Sequence, residues 1–210
     1  FSVEQEAASL HLQLAEARPV DQVVHHVFAF EQMDGDGKEP GSIAFAQCAG
    51  SRDENHLPYC SAVCCSASLK HALTISDKYP GIKISIFYID LRVTGRNEDF
   101  LSKVESYKNV ELIKGKVAKI EEAGNSKNLI LEAEDILSDR KVKKEFDLVV
   151  LAGGIMPSKT PVQNNLKDNS GFILPESLPE GIYAAACSKR PMDVTSSLKD
   201  VTGIALKAIQ

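Results

Sequence analysis

Four of the five cysteines in this 210-residue chain fall between positions 48 and 65, as Cys48-x11-Cys60-x3-Cys64-Cys65. Four thiolates match the ligand number of a cubane iron–sulfur cluster and of a structural zinc ion. Zinc sites of four cysteines are usually built from two short Cys-x2-4-Cys knuckles, and adjacent cysteines suit a tetrahedral ion poorly. A pair of disulfides, or four separate core cysteines, would also account for the residues. Spacing alone leaves these alternatives open, with an iron–sulfur cluster the leading one.

The flanking elements decide how the sulfurs can meet. Ser42 to Cys48 is an apolar run suited to a buried strand, and Ser61 to Lys78 carries Ala67, Leu69, Leu73 and Ile75 at helix-compatible positions. A helix starting near Cys60 would put Cys60 and Cys64 on one face, one turn apart. Its N-terminal partial charge would favour thiolates and an anionic cluster. Pro80-Gly81 ends the helix, and Lys83 to Ile89 is a second strand ending at Asp90. Strand, loop, helix and strand form a βαβ unit with parallel strands.

That unit has no G-x-G-x-x-G, and cysteines stand where those glycines would be. Without them a pyrophosphate cannot approach the helix N-terminus, so we expect a dinucleotide-domain shape that does not bind NAD(P)H. Asp90 occupies the place of a ribose-binding acid, but a strand-end residue beside Arg92 is the better reading. Arg52 either tunes a cluster or pairs with neighbouring Asp53 or Glu54, the latter being slightly favoured. His56 could donate to a sulfur or cap the loop.

The net charge is −5, with the basic residues dispersed among acids, which argues against a nucleic-acid partner. No run reaches the ~20 apolar residues of a membrane span. Bunched cysteines, one of them odd, favour a reducing cytoplasm over a disulfide framework. The chain starts without Met or signal-peptide character and is expected to begin partway through a longer protein.

Elsewhere, residues 2–16 carry helix signals, Val23 to Phe30 strand signals, and 34–41 a turn-rich loop. His25-His26 read as strand residues facing opposite sides. Asn97 to Lys108 is expected as a helix capped by Asn97. A strand from Val110 to Val117 should continue through Ile120, and runs at 129–133 and 141–146 complete a meander. Asp147 to Ala152 is an apolar strand ending at Gly153-Gly154. A short β segment at 172–174 and the run 181–186 lead to Cys187. A helix from Val194 to Ile209, capped by Asp193, closes the chain.

Gln47-Cys-Ala-Gly-Ser-Arg-Asp53, Tyr59-Cys-Ser-Ala-Val-Cys-Cys65, Phe87-Tyr-Ile-Asp-Leu-Arg92 and Phe146-Asp-Leu-Val-Val-Leu-Ala-Gly-Gly154 resemble the A-type component of heterodisulfide reductases. Arg190-Pro-Met-Asp-Val194 and Asp200 to Lys207 extend the resemblance, which spans about 34–210. It looks nearest to the QmoA branch, the flavoprotein subunit of the quinone-interacting membrane-bound oxidoreductase complex.

The resemblance implies an α/β, thioredoxin-reductase-like fold. An NAD(P)-domain-like Rossmann module, with a parallel sheet and a β-meander, would be followed by the closing part of a FAD domain. The expected division is 1–33 as part of the FAD domain or a linker, 34–156 as the cysteine-bearing module and 157–210 as the FAD-domain portion. Cys48, Cys60, Cys64 and Cys65 would ligate a [4Fe–4S] cluster. Gly153, Gly154, Ala185, Ala186, Cys187, Asp193 and Val194 would lie against FAD, with Cys187 either beside the flavin or a buried small residue.

Ala186 stands where the related flavoproteins usually have Gly, which limits approach to flavin phosphates. With the upstream FAD-binding βαβ unit outside it, this chain alone should bind FAD weakly or not at all and be inactive. The implied role is electron transfer linking a quinone pool to adenylylsulfate reductase. The protein would be cytoplasmic and held at a membrane through the other subunits of its complex. Heterodisulfide-reductase-type electron transfer, or a zinc-stabilised or cofactor-free docking module, are the alternatives.

Overall fold

In the computed structural model, residues 39–93, 95–124, 128–158 and 162–209 are described. The expected helix at 2–16, the strand at 23–30, the His25-His26 pair and most of the 34–41 loop lie outside them. Among the described residues the first element is β1 (Ser42–Ala46), followed by α1 (Cys64–Lys78) and β2 (Lys83–Tyr88). A 3-10 turn at Gly95–Asn97 leads into α2 (Glu98–Glu105) and then β3 (Val110–Lys114). Next come β4 (Val117–Glu122), β5 (Leu129–Asp135), β6 (Arg140–Phe146) and β7 (Leu148–Leu151), and α3 (Val194–Ile209) ends the chain.

Strands β3-β2-β1-β7 form one parallel sheet, and β4-β5-β6 form an antiparallel meander. Alternation along the strands explains how both faces of the parallel sheet are covered. Ile43 and Phe45 of β1 and Ile84 and Ile86 of β2 pack with Leu69, Ala72 and Ile75 of α1 and Val104 of α2. Ala44 and Phe87 point the other way, onto Ile120, Leu131, Ala133 and Phe146 of the meander. Phe87 and Phe146 meet edge to face at 6.1 Å. Asp147 ties the start of β7 to β1 by accepting from the Ser42 N–H at 2.8 Å and its hydroxyl at 3.0 Å.

Several expectations need correction. The helix carrying the cysteines begins at Cys64, not near Cys60, because Ala62 is left-handed (φ 62°) and Val63 is the N-cap. The β run from Val110 to Ile120 is two strands in different sheets, broken at Gly115-Lys116, since its halves bury against different partners. No strand forms at 172–174, where a single bridge joins Lys167 and Ile173. Helix α2 stops at Glu105, and Asn97 occupies its N-cap position without a side-chain cap bond. For α3 both the span and the cap are as expected: the Ser196 N–H donates to the Asp193 carboxylate at 2.7 Å. No helix among the described residues is long and apolar enough to cross a membrane.

Candidate iron–sulfur site

All four clustered cysteines lie where the parallel sheet hands the chain to α1. Cys48 follows the end of β1, Cys60 sits in the β1–α1 loop, and Cys64 and Cys65 form the start of α1. Cys60 is therefore presented by the loop rather than by a shared helix face. Five non-glycine residues with positive φ are found among those described, and three of them, Cys48, Arg52 and Ala62, are in this segment. A left-handed non-glycine residue costs about 1–2 kcal/mol, so the loop is held by its contacts rather than by local preference.

Those contacts can be named. Arg52 and Asp53 N–H groups donate to the carbonyls of Tyr59 and Leu57, closing the loop on itself at 3.1 and 3.0 Å. The Ala49 N–H donates to the Ala152 carbonyl beyond β7 at 3.1 Å. Ser51 and Ser61 hydroxyls, both buried, lie 3.2 Å apart, and Ser61 accepts the Ile155 N–H at 2.8 Å. Gly154 fits against this pair because it lacks a side chain: a Cβ there would stand 2.6 Å from Ser61 Oγ and 2.8 Å from Leu57 Cδ1. Tyr59 spans to the later chain, donating to the Ile155 carbonyl at 3.0 Å and meeting Phe172 edge to face at 5.3 Å.

The four cysteines lie within electrostatic reach of one another. Charge on any one of the four raises the pKa of another, across every pairing within the set. Burial pushes the Cys48 thiol up, with the Cys65 charge adding to it, while Arg52 pulls the other way through charge and a hydrogen bond. Burial, then the charges of Cys65, Cys48 and Cys60, push Cys64 up to about 12. Cys65 is also raised, first by burial, against a bond from the Arg92 N–H. Positive charge placed among four thiols with this mutual repulsion would favour their becoming thiolates together.

Donors meet three of the sulfurs. The Ala62 N–H donates to Cys60 Sγ at 3.4 Å, the Arg52 side chain reaches Cys48, and the Arg92 N–H reaches Cys65. Two of the thiols are themselves donors, Cys64 to the Gly153 carbonyl at 2.7 Å and Cys65 to the Asp90 carbonyl at 3.7 Å. All five cysteines are free. As the side chains stand, no three His, Cys, Asp or Glu residues among those described are grouped to hold a single ion. A cubane spreads its thiolates over separate irons, so it calls for a wider set of sulfurs than one zinc ion does. The donor set, the four cysteines and the uncapped N-terminus of α1 fit an anionic cluster, once the Cys64 and Cys65 thiols give up the carbonyls of Gly153 and Asp90.

Arg52 pairs with Asp90, not with Asp53 or Glu54, and this corrects the surface pairing favoured by proximity in sequence. Asp90 also accepts Arg92 Nε at 3.2 Å. Partial burial would raise the Asp90 carboxyl, but hydrogen bonds from Arg52 and then Arg92 outweigh it and hold the group below the usual carboxylate range. His56 lies beside Asp53, with Nδ1 3.5 Å from the carboxylate, short of a hydrogen bond.

The residues expected near FAD are spread along the second half of the chain. Gly153 and Gly154 follow β7 and belong to the cysteine site. Among the C-terminal residues, the Ala185 N–H is taken by Ser188 Oγ at 3.1 Å and the Ala186 N–H by the Asp200 carboxylate at 2.7 Å. Ala186 has the left-handed φ (52°) that a glycine would adopt freely. Asp193 fills the N-terminus of α3 with its own carboxylate, before Val194 opens the helix. The described residues thus do not by themselves present a free cradle for flavin phosphates at 185, 186 and 193. Cys187 is exposed, so it is not a buried small residue; its thiol donates to the Met192 carbonyl at 3.5 Å.

No family profile matches the chain. Similarity to curated proteins is extensive. The second A-type iron–sulfur component of the CoB–CoM heterodisulfide reductase of Methanopyrus kandleri is 38% identical over 188 residues, covering 82% of this chain and 29% of that protein. The chain is a homologue of part of the A-type component of heterodisulfide reductases. The corresponding component of the ferredoxin:CoB–CoM heterodisulfide reductase of Methanosarcina mazei is 33% identical, covering 83% of this chain and 24% of its own. The chain therefore spans under a third of the length of these relatives.

Among solved structures, thioredoxin reductase from T. acidophilum superposes with a TM-score of 0.54 at 14% identity, over 89% of this chain and 55% of that one. Thioredoxin reductase from Lactococcus lactis gives 0.51 at 14% identity, over 80% and 51%. These likenesses establish the α/β, thioredoxin-reductase-like fold expected for a homologue of this kind.

Proposed function

We propose that this chain is the cluster-bearing part of an electron-transfer flavoprotein, with Cys48, Cys60, Cys64 and Cys65 ligating one [4Fe–4S] cluster. The observation that carries this reading is the set of four buried or half-buried cysteines in mutual electrostatic reach, three of them met by hydrogen-bond donors. Bound there, a cluster supplies one-electron chemistry. The chain's own work is to hold and insulate it. The left-handed turns at Cys48 and Ala62 bring two ligands from outside the helix, and Gly154, Ser51 and Ser61 lock that loop to β7.

We assign residues 34–156 to the cluster-bearing module, 157–210 to the closing portion of a FAD domain and 1–33 to the preceding part of that domain or a linker. Gly153, Gly154, Ala185, Ala186, Cys187, Asp193 and Val194 would lie towards the flavin of the complete protein. With the Ala185 and Ala186 amides already engaged, this chain alone binds FAD weakly or not at all. NAD(P)H is not a ligand, because Asp90 is committed to two arginines and the loop before α1 is built around sulfurs.

Partners are the other subunits of a membrane-associated redox complex, as expected for a homologue of a multisubunit reductase component. The motifs around the cysteines favour the QmoA branch, in which electrons pass between a quinone pool and adenylylsulfate reductase. Heterodisulfide-reductase-type transfer is the nearest alternative, and a zinc-stabilised docking module the more distant one. Iron and acid-labile sulfide, measured after anaerobic reconstitution of the chain and of each Cys→Ala variant, test the ligand assignment. Full loading of any one of the four variants would remove that cysteine from the set.

A further inference from the structure

Asp90 stands at the end of β2, where an acidic residue in a dinucleotide-binding domain faces a ribose. Here its carboxylate turns towards the sulfur site and holds two cations. Oδ1 bonds the Arg52 guanidinium and Oδ2 accepts Arg92 Nε at 3.2 Å. The Asp90 main-chain carbonyl accepts from the Cys65 thiol at 3.7 Å. Arg52 touches Cys48, and Arg92 senses charge on Cys60 and Cys48 and offers its backbone N–H to Cys65. The side chains of Arg52 and Asp90 are 27% and 46% exposed, so as a stabilising pair they contribute little. Geometry beside the sulfurs, rather than stability, is what the pair provides.

We propose that Asp90 is a positioning residue: it fixes Arg52 and Arg92 beside Cys48, Cys60 and Cys65, and the two cations raise the midpoint potential of the cluster bound there. The inference rests on the iron–sulfur reading above. Reduction adds negative charge to a cluster, and fixed cations and N–H donors at its sulfurs favour the reduced form.

Two roles for Asp90 predict opposite signs, which makes the test decisive. If its carboxylate acted only as a nearby negative charge, Asp90→Asn would raise the potential. If it acts by placing the arginines, Asp90→Asn releases them and lowers it. The protein is reconstituted anaerobically with iron and sulfide, and the cluster potential is read by redox titration followed by EPR.

We expect Asp90→Asn and Arg52→Gln each to lower the reduced-to-oxidised ratio at fixed ambient potential, by about tenfold or about 59 mV for a one-electron couple. Asp90→Glu should restore part of the shift. In the Arg52→Gln, Arg92→Gln background, Asp90→Asn should raise the potential instead, because no cation is left to position. A cluster whose potential is unmoved or raised by Asp90→Asn alone overturns the inference and leaves the cluster assignment standing. An unaltered protein that takes up no cluster overturns both.

Discussion

The Cys64 thiol donates to the Gly153 carbonyl at 2.7 Å, joining the first turn of α1 to a residue just beyond β7, an edge strand of the parallel sheet. Under the proposed ligand set this side chain would serve two roles, as a structural donor to Gly153 and, with a cluster bound, as a thiolate ligand. Serine can keep the first role but not the second. Cys64→Ser should leave the denaturation midpoint of the metal-free protein nearly unchanged while iron uptake falls sharply. Cys64→Ala should lose about 1 kcal/mol as well, the worth of one hydrogen bond. Chemical denaturation and iron analysis of both variants check this, and full iron loading of Cys64→Ser would contradict it.

Gly154 is where the sheet and the cysteine loop come closest. A methyl group there would press on Ser61 Oγ at 2.6 Å and Leu57 Cδ1 at 2.8 Å, with Ser51 also in the way. These atoms belong to short or packed side chains with little room to retreat. Gly154→Ala should cost about 1–3 kcal/mol through overpacking and reduce cluster loading by displacing the loop. Urea denaturation with parallel iron analysis is the measurement. Unchanged stability would mean that the loop does not rest on Gly154 in solution.

His71, on α1 and next to Phe45 in the core, is held neutral. Burial, helped by the Lys70 charge, lowers its pKa from 6.5 to about 4, and its Nδ1 has no hydrogen-bond partner among the described residues. Between these values the unfolded chain binds the proton and the folded chain does not, so stability rises with pH. Stability should thus fall as pH drops from 6.5 and level off, for this group, below about 4. His71→Phe should flatten that part of the profile, as read from thermal midpoints between pH 7 and 4. An unaltered slope in the variant would place the titrating group elsewhere.

Asp200 works in the opposite chemical sense near the C-terminus. A bond from Lys189, then one from the Ala186 N–H, lowers its carboxyl from the ordinary 3.8. A depressed carboxylate contributes stability that is present above its unfolded value and is lost as pH falls through the folded value. Asp200→Asn should therefore be less stable than the parent at pH 6, and the gap should close progressively below about pH 4. The variant also leaves the Ala186 N–H with a weaker partner, so the turn at 186–188 should loosen first, visible as faster amide exchange there. A gap that persists undiminished at pH 2 would contradict the assignment.

Elements held by local signals were legible in the sequence. The apolar run of β1, the Pro80-Gly81 stop after α1, and the Asp193 cap of α3 are each decided by residues within a turn of the feature. What was not legible depended on partners distant along the chain. Val110 to Ile120 reads as one β stretch, and only burial against β2 on one side and β5 on the other breaks it at Gly115. Helix α1 starts late because a left-handed Ala62 serves the loop, against alanine's own preference. Arg52 finds Asp90 thirty-eight positions away, while Asp53 next door is engaged by Lys116. The cysteine spacing named a four-sulfur site, but the donors that meet those sulfurs come from Arg52, Ala62 and Arg92, which no spacing rule singles out.

Asp90 also bears on nucleotide binding. With its carboxylate bonded to Arg52 through Oδ1 and to Arg92 through Oδ2, a ribose hydroxyl would have to compete with two cations for it. Titration of the protein with NADH in a calorimeter should give no saturable heat at low micromolar concentration. A stoichiometric isotherm would show that the βαβ unit retains its nucleotide site beside the cysteines.

The central claim is that Cys48, Cys60, Cys64 and Cys65 together hold a single reducible cluster. The most direct measurement is EPR of the anaerobically reconstituted, dithionite-reduced protein, with iron and sulfide counted on the same sample. The expected result is about four irons and about four sulfides per chain and a paramagnetic reduced cluster, as for a [4Fe–4S] centre held by four thiolates. One tightly bound zinc per chain, with no signal that appears on reduction, would contradict it.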